Sequence, residues 1–399
     1  MIITPKVRGF VCTTAHPIGC KKNVEEQVNY VQTNEKIDGP KNVLIIGAST
    51  GYGLASRIVS AYGCGASTLG VFYEKEAKGK RTASPGWYNS AYFEEQALNE
   101  GLYAKSINGD AFSKEIKDEV LETIQKDLGK IDLVIYSLAA PRRIDPVTGD
   151  KYMSVLKPIH EPYTNKSIDI HNKTISMATI EPANEQEIEQ TTKVMGGEDW
   201  QLWIEVLLEH DLLAKGAKTI SYSYIGPEIT RPIYREGTIG RAKKHLENTA
   251  AALNDLLKSV DGQASVVIAK ALVTQASAAI PIVPLYMAAL YKTMKKKGTH
   301  EGCIEQIYRL FSTKLYDENV TDIYDEKGRI RIDDYEMDPE IQRETFEYFE
   351  QVDSENMQEM IDIEAYQKEF YKLFGFSRED VDYDQDIDTD VCIPSIDNI

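Results

Sequence analysis

The sequence predicts an α/β fold: a doubly wound parallel sheet, enlarged by an N-terminal extension and an inserted hairpin and helical segment. Three observations carry this. Short β-branched runs alternate with stretches of helical periodicity between residues 42 and 300, the pattern of strands joined by crossover helices. The first run, NVLIIG (42–47), passes through closely spaced glycines straight into a helical pattern. Two stretches, 1–40 and 141–216, exceed what such a sheet requires.

In order, strands are expected at 42–47, 68–74 (TLGVFYE), 102–107 (LYAKSI), 131–140 (IDLVIYSLAA), 217–224 (AKTISYSY) and 264–273 (ASVVIAKALV). Helices are expected at 51–62, 87–100, 113–129, 238–258 and 279–297. The 141–216 insertion is expected to form a small hairpin and then helices, because acidic periodicity and MGGEDWQLWIEVLLEHDLL (195–213) follow its first part. No linker, repeat or low-complexity tract divides the chain. It therefore reads as a single domain over 1–399, with an extension (1–40), a first half (41–140), the insertion (141–216), a second half (217–300) and a C-terminal helical region with an acidic tail (301–399).

Charge and composition exclude several functions. With 63 acidic against 45 basic residues the formal charge is −18, which argues against a nucleic-acid partner, since phosphate binding needs a basic surface. No stretch approaches the ~18 apolar residues of a membrane span, and the first 20 residues lack an export signal, so a soluble cytoplasmic protein is expected. Cys12, Cys20, Cys64, Cys303 and Cys392 show no CxxC spacing, so reduced thiols and no metal site are expected. The stretch EDVDYDQDIDTD (379–390) mimics a calcium loop, but Ile387 and Ile393 stand where the loop needs Gly and Glu, so it reads as a solvated tail.

In GASTGYG, Gly47, Gly51 and Gly53 follow an apolar strand and open a helix. Glycines there permit a tight turn and close backbone approach to a pyrophosphate, while the helix N-terminus offers free N–H groups and a favourable dipole. The reading is a Rossmann-type dinucleotide site; the alternative is a packing turn. Glu74 ends the second strand, where a carboxylate accepts hydrogen bonds from ribose hydroxyls and repels a 2′-phosphate, favouring NADH. Lys75, Lys78, Lys80 and Arg81 follow and would favour the opposite. Asp110 and Ala111, after the third strand, fall where adenine is edged, and Leu138 and Ala139, after the fourth, fall beside the nicotinamide ribose.

A nicotinamide-dependent reductase needs a proton donor. The histidines, at 16, 160, 171, 210, 245 and 300, are dispersed, which leaves tyrosine. After the fifth strand, Tyr234 has Thr238 four residues on, where a short-chain dehydrogenase would carry Lys. Lys243 lies beyond eight intervening residues, and on one unbroken helix the two would face opposite ways. The pair works only if Tyr234 precedes the helix, and Gly237 followed by Thr238 as N-cap predicts that start. Tyr291 and Lys295 have the usual spacing but follow the sixth strand, so they read as an amphipathic helix with a basic end.

These motifs, with GWYN (86–89), GDAF (109–112), YSLAAPRR (136–143), KVMGGEDW (193–200), SYSYIGPE (221–228), IYREGTIGRAKK (233–244), KALVTQASAAIP (270–281) and HEGCIEQ (300–306), resemble the trans-2-enoyl-CoA reductases from HPIGC (16–20) to VDY (381–383). The resemblance implies NADH-dependent reduction of the 2,3-trans double bond of an enoyl-CoA or enoyl-carrier-protein thioester. It implies Tyr234 and Lys243 as catalytic residues and Tyr224 as a substrate contact. It implies nucleotide contacts at Gly47, Ala48, Ser49, Thr50, Gly51, Tyr52, Gly53, Tyr73, Glu74, Asp110, Ala111, Leu138, Ala139, Lys243, Leu272, Val273 and Thr274. The first half then binds dinucleotide, and the second half catalyses and covers substrate. The apolar stretch 271–291 suits an acyl-chain cover or, equally, a buried core helix. Arg142, Arg143 and Lys295 to Lys297 are candidates for the coenzyme A phosphates. A monomer is expected; a carbonyl-reducing short-chain dehydrogenase and a non-catalytic NADH-binding regulator are the rival readings.

Overall fold

The computed structural model describes residues 1–8, 11–170, 172–275, 277, 280, 282–317 and 319–397. The N-terminal extension contributes a short antiparallel pair, β1 (Val7–Arg8) and β2 (Val11–Cys12), and a helix, α1 (Pro17–Thr33). Proline at the start of α1 is tolerated because the first helical N–H has no partner to lose, and His16 caps the turn by accepting from the Gly19 N–H.

The central sheet is built from β3 (Asn42–Ile46), β4 (Ser67–Phe72), β5 (Ala104–Asn108), β6 (Ile131–Tyr136), β11 (Leu213–Ser223), β12 (Gln263–Ile268) and β13 (Ile330–Arg331). All pairings are parallel, in the order β13-β12-β11-β6-β3-β4-β5. Parallel strands are covered on both faces, so their sequences read as continuous apolar runs. Successive residues nevertheless serve opposite sides: Val43 and Ile45 pack with α1, α2 (Gly51–Ile58), α3 (Pro85–Asn99) and α9 (Cys303–Leu310), while Leu44 and Ile46 pack with α4 (Lys114–Thr123), α6 (Glu198–Glu209) and α7 (Thr238–Leu256). A third apolar cluster joins α8 (Val283–Lys297), α10 (Pro339–Gln351), the short α11 (Met357–Met360) and α12 (Ile363–Lys372).

The chain steps outward from β3 through β4 to β5, then returns to the other side of β3 with β6 and steps outward again through β11 and β12. That reversal opens a crevice beyond the C-terminal ends of β3 and β6, the ligand position of open α/β sheets.

The six expected strands and five expected helices are present, and two of the strands end well before the expected position. β6 stops at Tyr136 and β12 at Ile268, because the apolar residues after them leave the sheet to wall the crevice. Two residues suffice for β13, too few for a period to register. The insertion holds two hairpins, β7 (Arg142–Ile144) with β8 (Lys151–Met153) and β9 (Tyr163–Asp169) with β10 (Thr174–Ile180), before α5 (Glu185–Met195) and α6. Asn184 and Glu187 form a capping box that starts α5. Of the helix expected at 279–297, residues 279 and 281 lie outside the described residues. The acidic tail is exposed along most of 379–388, yet a final turn, α13 (Pro394–Asp397), docks beside β5.

Candidate active site

Each glycine of the GASTGYG turn answers a distinct steric demand. Gly47 has φ +88°, and a Cβ there would stand 2.4 Å from the Ser137 carbonyl oxygen. Gly51 has φ +54° and begins α2. A Cβ on Gly53 would meet the Gly47 carbonyl oxygen at 1.9 Å, so α2 can approach the turn this closely only through glycine. Thr50 occupies the N-cap without a side-chain cap bond, which leaves the first-turn amides open to an anion. Tyr52 turns inward: its hydroxyl donates to the Lys270 carbonyl and its ring stacks on Tyr222, so its side chain braces α2 against the sheet.

Glu74 follows β4 and accepts a 2.6 Å hydrogen bond from Ser49 Oγ. Its carboxylate fills the space left by Gly86, where a Cβ would stand 2.1 Å from Oε1. Burial raises its pKa, opposed by the Ser49 and Ser84 hydroxyls. None of the following cations, Lys75, Lys78, Lys80 or Arg81, pairs with it among the described residues, while Tyr73 stands exposed. Asp110 caps its own turn through the Phe112 N–H, Ala111 is buried, and Leu138 and Ala139 follow β6. Leu272, Val273 and Thr274 share a cavity of about 400 Å3 with Thr50 and Gly51, so the segment after β12 faces the glycine turn.

Tyr234 precedes α7, as the Tyr-to-Lys spacing requires. The helix begins one residue earlier than the capping expectation places it: Gly237 is the N-cap, and the Thr238 hydroxyl donates instead to the Val155 carbonyl of the insertion. Lys243, in the second turn of α7, donates from Nζ to the Tyr222 carbonyl at the end of β11, and burial pushes its pKa down to about 8. Lys243 and Tyr224 line one cavity of about 340 Å3, together with His160. The Tyr224 and Tyr234 rings meet edge to face, 4.9 Å between centroids.

The two tyrosine hydroxyls differ. Tyr224 donates to Glu336 Oε1 at 2.9 Å, and Tyr286 donates to the same oxygen at 2.7 Å. The other oxygen accepts the Ala271 N–H at 2.6 Å. Glu336 is fully buried; burial raises its pKa, while the nearby Lys270 ammonium, itself pushed down to about 8, opposes the rise. Three donors on one carboxylate mark it as an acceptor, so the Tyr224 proton is committed. The Tyr234 hydroxyl has no hydrogen-bond partner among the described residues, and burial raises its pKa. Neither Glu336 nor Tyr286 was legible in the sequence, since neither YEMDPE (335–340) nor VPLYM (283–287) carries a motif.

Other expectations resolve into structure. Tyr291 is buried and accepts the Val273 N–H, while Lys295 pairs with Asp362, so the second Tyr/Lys spacing is packing. Most of α8 is core rather than cover. His300 rests against Tyr291 and is held neutral, pushed down to about 3 by burial and by Lys270 and Lys295; His171 lies outside the described residues. Of the cations considered for coenzyme A, Arg143 is buried against Glu198, and Lys295, Lys296 and Lys297 pair with Asp362, Glu344 and Glu340.

A family model described as the trans-2-enoyl-CoA reductase catalytic region matches residues 81–316, and one described as the NAD(P)H binding domain of trans-2-enoyl-CoA reductase matches residues 2–79. The chain is 55% identical over 396 residues to the trans-2-enoyl-CoA reductase (NADH) of Ruminiclostridium cellulolyticum, covering 99% of this chain and 100% of the relative. The chain belongs to the trans-2-enoyl-CoA reductase family. It is also 56% identical over 400 residues to an enoyl-[acyl-carrier-protein] reductase (NADH) of Coxiella burnetii, covering 99% and 98%. Among solved structures, a Clostridium acetobutulicum trans-2-enoyl-CoA reductase in complex with NADH superposes with a TM-score of 0.95 at 46% identity, covering 98% of both chains.

A third model, described as an enoyl reductase FAD binding domain, matches residues 324–387 of this reductase. The residues there do not fit a flavin site. The glycines of the segment, Gly328 and Gly375, precede a two-residue strand and follow a helix, so no strand, glycine turn and helix are arranged to hold a pyrophosphate. By contrast, the Gly47–Gly53 turn, the α2 N-terminus and Glu74 fit NADH. No helix among the described residues is long and apolar enough to cross a membrane.

Proposed function

We propose that Tyr234 is the hydrogen-bond and proton donor in the reduction of 2,3-trans-enoyl thioesters that this NADH-dependent reductase performs, with Tyr224 and Lys243 in supporting positions. One observation carries the assignment: of the two hydroxyls at the crevice, only that of Tyr234 is uncommitted among the described residues. NADH supplies the hydride that reaches the β-carbon of the substrate. Tyr234 O–H stabilises the negative charge that collects on the thioester oxygen and supplies the proton for the α-carbon. Donors of this kind lower a barrier by about 3–4 kcal/mol. Tyr224, tied to Glu336, meets the Tyr234 ring edge to face and holds it in place. Lys243, as a cation, holds the cofactor's ribose and favours the charged form of the tyrosine.

Thr50 to Gly53 offer their amides to the pyrophosphate, with Gly47, Ala48 and Ser49 forming the turn. Glu74 receives the adenosine ribose, with Tyr73 beside it. Asp110 and Ala111 edge the adenine. Leu138 and Ala139, with Leu272, Val273 and Thr274, enclose the nicotinamide half. The enzyme acts as a cytoplasmic monomer on a thioester carried by coenzyme A or acyl carrier protein.

The test is an NADH-oxidation assay with crotonyl-CoA and acetoacetyl-CoA. Consumption with the first and not the second is expected; the reverse pattern supports the carbonyl-reducing alternative and overturns this reading. Tyr234→Phe should lower kcat by a few hundredfold, and a variant retaining full turnover removes Tyr234 from the mechanism.

A further inference from the structure

We infer that the cavity beside Tyr224 and Lys243 holds the phosphate groups of the substrate's carrier, gripped by Arg235, Arg241 and Lys327. This rests on the enoyl-thioester reading and extends it to the far end of the substrate. The chain carries a net charge of −18, yet the wall of this cavity brings together Arg235, Arg241, Lys243, Lys244, Lys327 and Arg329 against Glu236 and Glu247. Arg329 is spent on Asp325 and Glu247, and Lys244 on Glu247. Arg235, Arg241 and Lys327 are exposed and have no counter-ion among the described residues.

Concentrating unpaired cations in one concavity of an acidic protein costs self-repulsion, which a bound polyanion relieves. The same concavity opens on Tyr224, whose ring meets that of Tyr234, where the thioester oxygen is placed, so one molecule can reach both. An enoyl thioester on phosphopantetheine has that form: an apolar reacting end and phosphate esters at the far end of a flexible arm. Guanidinium groups suit phosphate because their planar forks donate two parallel hydrogen bonds. The phosphates come from either coenzyme A, through its adenosine 3′-phosphate and diphosphate, or acyl carrier protein, through its single phosphodiester.

The experiment compares wild-type enzyme with the Arg241→Ala/Lys327→Ala double variant on crotonyl-CoA, crotonyl-phosphopantetheine and crotonyl-pantetheine, the last lacking phosphate. The ratio of kcat/KM for crotonyl-CoA to that for crotonyl-pantetheine should fall at least tenfold in the variant. The Arg241→Lys/Lys327→Arg variant should recover most of it. An equal fall with crotonyl-phosphopantetheine assigns the grip to the phosphate shared with acyl carrier protein; a fall confined to crotonyl-CoA assigns it to the adenosine phosphates. Wild-type KM for crotonyl-CoA should also rise with salt while that for crotonyl-pantetheine stays level, since exposed charges are screened. An unchanged ratio, or a loss appearing instead in KM for NADH, overturns the proposal while leaving the reductase reading intact. A wild-type enzyme inert toward every thioester overturns both.

Discussion

Lys243 and Glu336 show how burial sets the properties of single residues at the crevice. The Lys243 ammonium titrates near 8 rather than 10.5, because desolvation disfavours its charged form. Between those values the unfolded chain holds a proton that the folded chain has released, so this residue's contribution to stability rises with pH across the window and is lost as pH falls through about 8. With Lys243 as the proposed cation for the cofactor, binding should run the other way, because the cation disappears as pH rises. KM for NADH should therefore increase from pH 7 to 9 in the wild type and stay flat in Lys243→Arg, whose guanidinium keeps its charge; superimposable profiles would count against Lys243 as the cofactor's cation. At Glu336, an amide cannot accept from two hydroxyls on one side and a backbone N–H on the other. Glu336→Gln should thus cost about 1–3 kcal/mol in denaturant unfolding through an unsatisfied buried group, and an unmoved midpoint would contradict the network.

The turn between β3 and α2 works as an element, since its amides converge only while the helix sits against the turn. Adding a methyl at Gly53 pushes the helix off the Gly47 carbonyl, from which a Cβ would stand 1.9 Å. Gly53→Ala should weaken NADH binding at least tenfold, about 1.4 kcal/mol, read by cofactor fluorescence titration. Unaltered affinity would show that the amides are not the binding element. Much of this element was legible beforehand, because a buried parallel strand, glycines and a helix start are local in sequence. The ends of β6 and β12 were not, since SLAA and AKALV are apolar whether they pair in a sheet or wall a crevice. The two-residue β13 and the helix of the N-terminal extension also escaped, one too short for periodicity and the other outside the alternating pattern.

Across the whole molecule, the C-terminus is tied back to α3. Trp87 Nε1 donates to the Val391 carbonyl, Tyr88 to the Thr389 carbonyl, and Ser395 bonds to Glu94, a fully buried carboxylate whose pKa burial raises and the Arg57 guanidinium lowers. Truncation after residue 388 strips those partners. It should lower the midpoint of thermal unfolding by several degrees, and a chain that melts unchanged would mean the tail is dispensable. If the chain is one domain, calorimetry of the full-length protein should show one cooperative transition; two resolved transitions would divide it.

The sequence by itself determined six strands of the sheet, the glycine turn, the carboxylate after β4 and a helix start after Tyr234, because each depends on backbone preference or on the period of burial. Tertiary structure alone decided which tyrosine hydroxyl is left without a partner among the described residues. Tyr224 is engaged by Glu336 from 112 residues further along the chain, on a segment that reaches it only when α8 and α10 pack together. The same folding paired Lys295, Lys296 and Lys297 with carboxylates and left Arg235, Arg241 and Lys327 without them among the described residues. Local pattern records which residues are buried; which buried or charged groups find partners is settled by what the fold brings beside them.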